Sequence, residues 1–171
     1  MKYTPNIENI REGKPFYVVA VCFPVDVKNE RILLLKRAKT QMIHGGLWAP
    51  IGGKLEWSDL TNHAPSRDNG TVEDWLDIVE LLLKREAMEE ANIKVDDFKY
   101  IGSVAYVRPD GMPSVCLKFA CRYLDGDIHF PDDFEEARWF ACGELEDGES
   151  ILGVPEEIAI SLDSFKMSTT V

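Results

Sequence analysis

The stretch Arg85-Glu86-Ala87-Met88-Glu89-Glu90-Ala91-Asn92-Ile93 places three carboxylates at positions i, i+3 and i+4. A helix turns about 100° per residue, so Glu86, Glu89 and Glu90 would share one face. Like charges at that spacing repel, and a solvated acidic face is the plain explanation for them. A cation resting on the face is the other, and oxygen donors of this kind suit Mg²⁺ or Mn²⁺. The context upstream favours the cation.

There, Trp48-Ala49-Pro50-Ile51-Gly52-Gly53-Lys54-Leu55-Glu56 forms a short apolar run that ends in two glycines, a lysine and a carboxylate. Together the two stretches resemble the signature of the Nudix hydrolases. That signature reads Gly, five residues, Glu, seven residues, Arg-Glu, an apolar residue, any residue, Glu-Glu, any residue, Gly and an apolar residue. Arg85, Glu86, Ala87, Glu89, Glu90 and Ile93 match its second half in register, and Gly52-Gly53-Lys54 with Glu56 resembles the first. The chain departs from the pattern in three places. Asp77 takes the place expected of the first glutamate, Asn92 replaces the last glycine, and Ile51 precedes the glycine pair where proline is usual. Read this way, twenty-three residues separate Gly53 from Asp77, which amounts to an insertion of eighteen before the helix. Closure entropy rises slowly with loop length, so the fold tolerates such an insertion. Asn92 suits the left-handed turn that ends a helix. Asp77 is expected to pair with Arg85 or orient it.

The resemblance implies an α/β/α sandwich around a mixed β-sheet and a divalent-metal-dependent hydrolase that cleaves the diphosphate linkage of a nucleoside diphosphate joined to another group. A nucleoside triphosphate, a nucleotide sugar and a dinucleotide all fit. Glu86, Glu89 and Glu90 would hold Mg²⁺, or Mn²⁺, with the main-chain carbonyl of Gly52. Glu89, Arg85 and a late acid would serve catalysis. Asp133 stands near Glu136-Ala137-Arg138-Trp139 where the family often has its base, and Asp132 and Glu135 are its competitors. Arg37, Lys54 and Trp57 are the candidate substrate contacts, Arg37 with Lys36 as positive charge at a strand end and Trp57 as a stacking surface. Two other readings stand beside this one: an inactive Nudix-fold nucleotide-binding or sensor module, and an isoprenoid diphosphate isomerase.

The length of 171 residues suits one domain, 1–171, with an inserted loop at about 57–71. A hydrophobic share of 45% and a charged share of 29% describe a globular chain. The net charge of −11 argues against a duplex nucleic-acid partner, though a small nucleotide is compatible with it. No apolar run approaches the twenty residues of a membrane span, and no signal-peptide core opens the chain, so a cytoplasmic location is expected, with no membrane partner. A homodimer is compatible with the sequence. Cys22, Cys116, Cys121 and Cys142 form no CxxC pair and read as buried free thiols. His44, alone in a Gly-containing loop, reads as structural or exposed.

Residues 16–25 and 31–36 read as a hairpin, 48–51 as a short strand, 98–107 and 113–123 as two strands around the turn Arg108-Pro109-Asp110-Gly111-Met112, and 136–140 as a last strand. Thr71 and Asp74 suggest a capping box that opens the acidic helix near Val72, with Trp75, Ile78, Val79, Leu82 and Leu83 at helical spacing. Residues 155–167 read as a terminal helix, with Ile158, Ile160, Leu162 and Phe165 for packing. The expected order is β-β-β-α-β-β-β-α.

Overall fold

The computed structural model describes residues 16–166 apart from Asn69, Thr71 and Asp147. Its elements run β1 (Tyr17–Asp26), β2 (Arg31–Arg37), β3 (Trp48–Ala49), β4 (Ile51–Lys54), α1 (Trp57–Thr61), β5 (Arg67–Asp68), β6 (Glu73–Asp74), α2 (Ile78–Ala91), β7 (Lys94–Val107), β8 (Pro113–Asp125), β9 (Phe134–Phe140) and α3 (Val154–Lys166). The hairpin β1–β2 turns where Asp26 Oδ1 accepts the amides of Lys28 and Asn29 at 3.1 and 3.2 Å. One mixed sheet has the order β3-β2-β1-β8-β7, with β4 also on β1 and β9 on β2. The β1–β8 pair is parallel; every other pair in it is antiparallel.

The run Ile32-Leu33-Leu34-Leu35 is fully buried, and its residues divide between the two faces of the sheet. Leu33 and Leu35 join Ala20, Cys22, Ile51 and Cys121 under Leu82, Leu83, Ala87 and Ala91 of α2. Ile32 and Leu34 join Phe23, Val25, Ala120 and Phe140 under Val154, Ile158, Leu162 and Phe165 of α3. Each such side chain removed from water stabilises the fold by roughly 1.5–3 kcal/mol. The result is the expected α/β/α sandwich around a mixed sheet.

Several local expectations change. The inserted stretch carries structure of its own, the helix α1 and the two-stranded β5–β6, where composition suggested a plain loop. Trp75 donates its indole N–H to the His63 carbonyl at 2.9 Å and belongs to that small unit, outside α2. The acidic helix therefore starts at Ile78, six residues later than the capping-box reading placed it, because Glu73 and Asp74 are drawn into β6. Thr71, half of that box, lies outside the described residues. Pro50 separates β3 from β4, so the one short strand expected at 48–51 is two, on different partners. Ile160 is 48% exposed and points away from the core that α3 otherwise fills. Cys22, Cys116 and Cys121 are buried, but Cys142 is exposed. Asn92 ends α2 with φ of 54°, the left-handed geometry its type predicted.

Candidate active site

The acidic helix lies against β4 through the two glycines. A Cβ on Gly52 would run into the Ala20 carbonyl, and one on Gly53 into the Glu86 carboxylate. A bare backbone at Gly53 lets α2 approach this closely, and one at Gly52 lets β4 lie against β1. Glu90 Oε2 accepts the Gly52 amide at 2.9 Å, and Glu86 is buried beside it. Burial raises the pKa of both acids. For Glu90 it does so up to about 8, opposed by the Gly52 amide and by Arg37, and reinforced by Glu86 and Asp133. For Glu86, burial is opposed by Arg85 and reinforced by Glu89.

Arg85 knits this face together. Its Nη1 lies 2.8 Å from Glu86 Oε1 and 2.9 Å from Glu89 Oε2. Its other side grips Asp59 in a fork, Nε to Oδ1 at 2.7 Å and Nη2 to Oδ2 at 3.2 Å. Burial alone would raise the Asp59 pKa, but the Arg85 bonds and the Glu56 amide, 2.8 Å from Oδ2, hold it below its ordinary range.

Asp77 therefore does not take the role expected of it. It sits exposed at the start of α2 with φ of 54°, and its carbonyl accepts the Leu81 amide. Asp59 pairs with Arg85 instead, and five residues separate it from Gly53, the spacing the signature asks of its first acid. The extra eighteen residues thus fall after that acid, between Asp59 and Arg85. The sixth residue after Gly53 is this acid; the better-looking helix start near Asp77 drew attention away.

The late acids lie at the start of β9, beside the end of β2. Asp133 Oδ1 accepts Gln41 Nε2 at 2.6 Å, and the Asp133 carbonyl accepts the Ala38 amide at 2.8 Å. Arg37 orients Gln41, its Nη2 lying 3.2 Å from Gln41 Oε1 while its Nε bonds the Ile43 carbonyl at 3.0 Å. Arg37 and Asp133 both act electrostatically on Glu90, so both belong to this region. Glu135 is engaged by the Lys39 amide at 2.9 Å, which makes it the weaker candidate for a base. His44, in the same loop, has its pKa lowered by burial and by Arg37. Trp57 is 74% exposed on α1, and Lys54 lies 5.7 Å from the Tyr17 ring centre.

Carboxylates gathered on one helix face beside a strand backbone are hard oxygen donors of the kind a divalent cation takes. Among the described residues no three acids or histidines are yet turned toward a common point: Glu86 and Glu89 face Arg85, and Glu90 faces Gly52. The donor chemistry and the close approach at Gly53 fit such an ion. A carboxylate-bearing helix packed on a glycine pair, at the edge of a mixed sheet inside an α/β/α sandwich, defines the Nudix class of fold.

The comparisons agree. The fold superposes on the MutT Nudix hydrolase of Burkholderia pseudomallei with a TM-score of 0.61 at 23% identity, covering 88% of this chain and 98% of that one. It superposes on a Nudix hydrolase of Alicyclobacillus acidocaldarius with a TM-score of 0.63 at 16% identity, covering 92% and 97%. An ADP-ribose pyrophosphatase of Streptococcus suis gives 0.52 at 17%, covering 89% and 93%. In sequence, the NAD-capped RNA hydrolase NudC of Photorhabdus laumondii subsp. laumondii is 26% identical over 128 residues, 74% of this chain and 41% of that protein. The NudC of Pseudomonas syringae pv. tomato is 40% identical over 63 residues, 36% of this chain and 21% of that protein. The chain thus spans less than half the length of these curated relatives. No family model matches it. The chain has the fold of the Nudix hydrolases and is similar in sequence, over part of its length, to NudC proteins.

Proposed function

We propose that the protein hydrolyses the diphosphate linkage of a nucleoside diphosphate derivative, with Mg²⁺ or Mn²⁺ held by Glu86, Glu89, Glu90 and the Gly52 carbonyl. The observation that carries this reading is the packing of buried Glu86 and half-buried Glu90 against a glycine pair, with one guanidinium and one amide as their nearest partners. A bound divalent ion supplies neutralisation of the diphosphate oxygens and acidifies the attacking water. The protein does the rest. Arg85, fixed by Asp59, holds Glu86 and Glu89 in place. Asp133, fixed by Gln41, accepts the proton as water oxygen bonds to phosphorus and the anhydride P–O bond breaks. The products are a nucleoside monophosphate and the phosphorylated second group.

Relatives and fold neighbours whose names concern NAD-capped RNA, ADP-ribose and UDP-linked compounds support a nucleoside diphosphate as the shared chemistry. ADP-ribose, a UDP-sugar, NAD and a nucleoside triphosphate, each incubated with Mg²⁺ and followed by release of nucleoside monophosphate, test the proposal. Turnover of at least one, abolished by chelation, is expected. Inertness toward all four with either ion would leave the binding-module reading standing.

A further inference from the structure

We propose that the cleft between the outer flank of α2 and the loop 127–131 takes the nucleobase of the substrate whose diphosphate lies at the α2 carboxylates, and that it selects a base carrying an exocyclic amino group. This rests on the diphosphate-hydrolase reading and extends it to the far end of the ligand.

The end of α2 builds the cleft. The left-handed turn at Asn92 stops the helix and leaves the Ala91 carbonyl without a helical partner. The loop after β8 supplies one: the His129 amide bonds the Ala91 carbonyl at 3.2 Å, and Ile128 packs against the core beneath α2. With Ile128 turned inward, Asp127 and His129 are left outside. Between loop and helix lies a cleft of about 410 Å³, lined by Met88, Glu89, Asn92, His129, Phe130 and Pro131.

Two of its walls are apolar and open. Met88 is 43% and Phe130 38% exposed, and among the described residues no ring or cation packs on Phe130. A flat ring laid on Phe130 gains stacking that the chain itself does not provide, with the Met88 thioether beside it. The polar walls are more specific. One main-chain carbonyl, that of Asp127, bonds both Asn92 Nδ2 and His129 Nδ1, each at 2.8 Å. A carbonyl only accepts, so His129 Nδ1 carries the proton and the neutral ring has Nε2 left as an acceptor, while Asn92 keeps Oδ1. Glu89 adds a carboxylate, and among the described residues no lysine or arginine lines the cleft. Acceptors without cations turn away phosphate and call for N–H donors. The amino groups of adenine and cytosine supply them; the keto oxygens of hypoxanthine and uracil at the same place do not.

The position suits the same molecule. Glu89 belongs at once to the cleft and to the carboxylate face, its Oε2 held by Arg85 at 2.9 Å. Both walls lead into the candidate site: Glu90 follows Glu89 on the helix, and Asp133, whose charge acts on Glu90, follows Pro131 by two residues on the loop. Asn92 stands six residues beyond Glu86, roughly 9 Å at the rise of a helix, the span from a phosphate to the base of one nucleotide.

The test uses the full chain with Mg²⁺ and two pairs of binding probes, AMP with IMP and CMP with UMP, each pair differing by amino for keto, beside ribose 5-phosphate. At least one amino member is expected to bind more tightly than its keto partner and than ribose 5-phosphate. Phe130→Ala should weaken that nucleotide roughly five- to a hundredfold, the range for loss of one stacked base, and leave ribose 5-phosphate unchanged. Phe130→Tyr should restore it, which separates stacking from any structural effect, and His129→Ala should shrink the preference for amino over keto. In hydrolysis of ADP-ribose or CDP-glucose, according to the tighter base, Phe130→Ala should raise KM by a similar factor with kcat within about twofold. Parent-like affinity and KM in Phe130→Ala, or keto partners bound as tightly as amino ones, would overturn the assignment while leaving the hydrolase reading intact. If the parent hydrolyses none of the nucleotides, the hydrolase reading fails, and the titrations still decide: amino-selective binding weakened in Phe130→Ala supports the cleft, and no binding to the parent overturns it.

Discussion

Both helices of the sandwich bury a glutamate against the sheet, and the two are answered differently. On the α3 side Glu157 bonds Lys118, each with less than a fifth of its side chain exposed, so a cation of the chain meets the buried charge. On the α2 side Glu90 has the Gly52 amide as its hydrogen-bond partner and Arg37 as a more distant positive influence, with Glu86 and Asp133 pushing the other way. A buried carboxylate without a close cation is costly unless it is protonated or matched by something from outside. The α3 pair is complete in itself and serves the fold. Glu90 has no such close cation among the described residues, and that marks the site.

The sharpest way to break the comparison is to remove charge without volume. Glu89→Gln or Glu90→Gln should lower kcat on the order of a hundredfold or more and keep the thermal transition, whereas Glu157→Gln should leave kcat near the parent value. Equal kcat effects on the two sides would erase the distinction. Next in size is Lys118→Ala, which strands Glu157 and should cost about 3 kcal/mol in denaturant unfolding, lowering the population of folded protein but not the turnover per folded molecule.

The third turns on pH. Glu90 titrates at about 8 in the fold against an ordinary 4.5, so the folded state holds its proton longer. Its stability contribution is full below about 4.5 and is lost as pH rises through 8, on the order of 5 kcal/mol in the limit. Without divalent ions the melting temperature should therefore drift down between pH 5 and 8, and Glu90→Gln or added Mg²⁺ should flatten the drift. A flat parent profile in chelator would contradict the uncompensated burial. Smaller again is Asp133→Asn, which should lower kcat while the fold persists, with Gln41→Ala a weaker copy of it. The smallest is chemical: Cys142 should alkylate readily in the native protein, while Cys116, its thiol pushed to about 11 by burial, and the buried Cys22 and Cys121 should wait for unfolding.

Local pattern made the sandwich legible. The run 31–36, the turn at 108–112 and the acidic helix each carry a period or a turn residue that survives any packing; the first two fall where the sequence put them, and the helix keeps its acidic half and its end at Asn92 while starting six residues late. The carboxylate face was legible for the same reason, since i, i+3 and i+4 is a property of the helix itself. What escaped depends on partners distant in sequence. The strand assignment of Glu73 and Asp74 needs Arg67 and Asp68 across from them. Asp59 owes its role to an arginine twenty-six residues away, and Gln41 to an aspartate ninety-two away. Trp75 and Ile160 both sit at apolar helical spacing, yet one is held by His63 in the inserted unit and the other faces solvent.

The Asp59–Arg85 fork has a consequence for how such a protein can diversify. Residues 60–84 leave the site at one arm of a bidentate pair and return at the other, so the pair acts as a clasp around the excursion. Whatever is threaded between 62 and 75 is mechanically decoupled from the acids that the clasp fixes, and each doubling of its length adds only about 0.6 kcal/mol of closure cost. This is a splice point. Segments of other lengths and sequences can be exchanged there, bringing new surface to the rim of the site while the chemistry at its centre keeps its geometry.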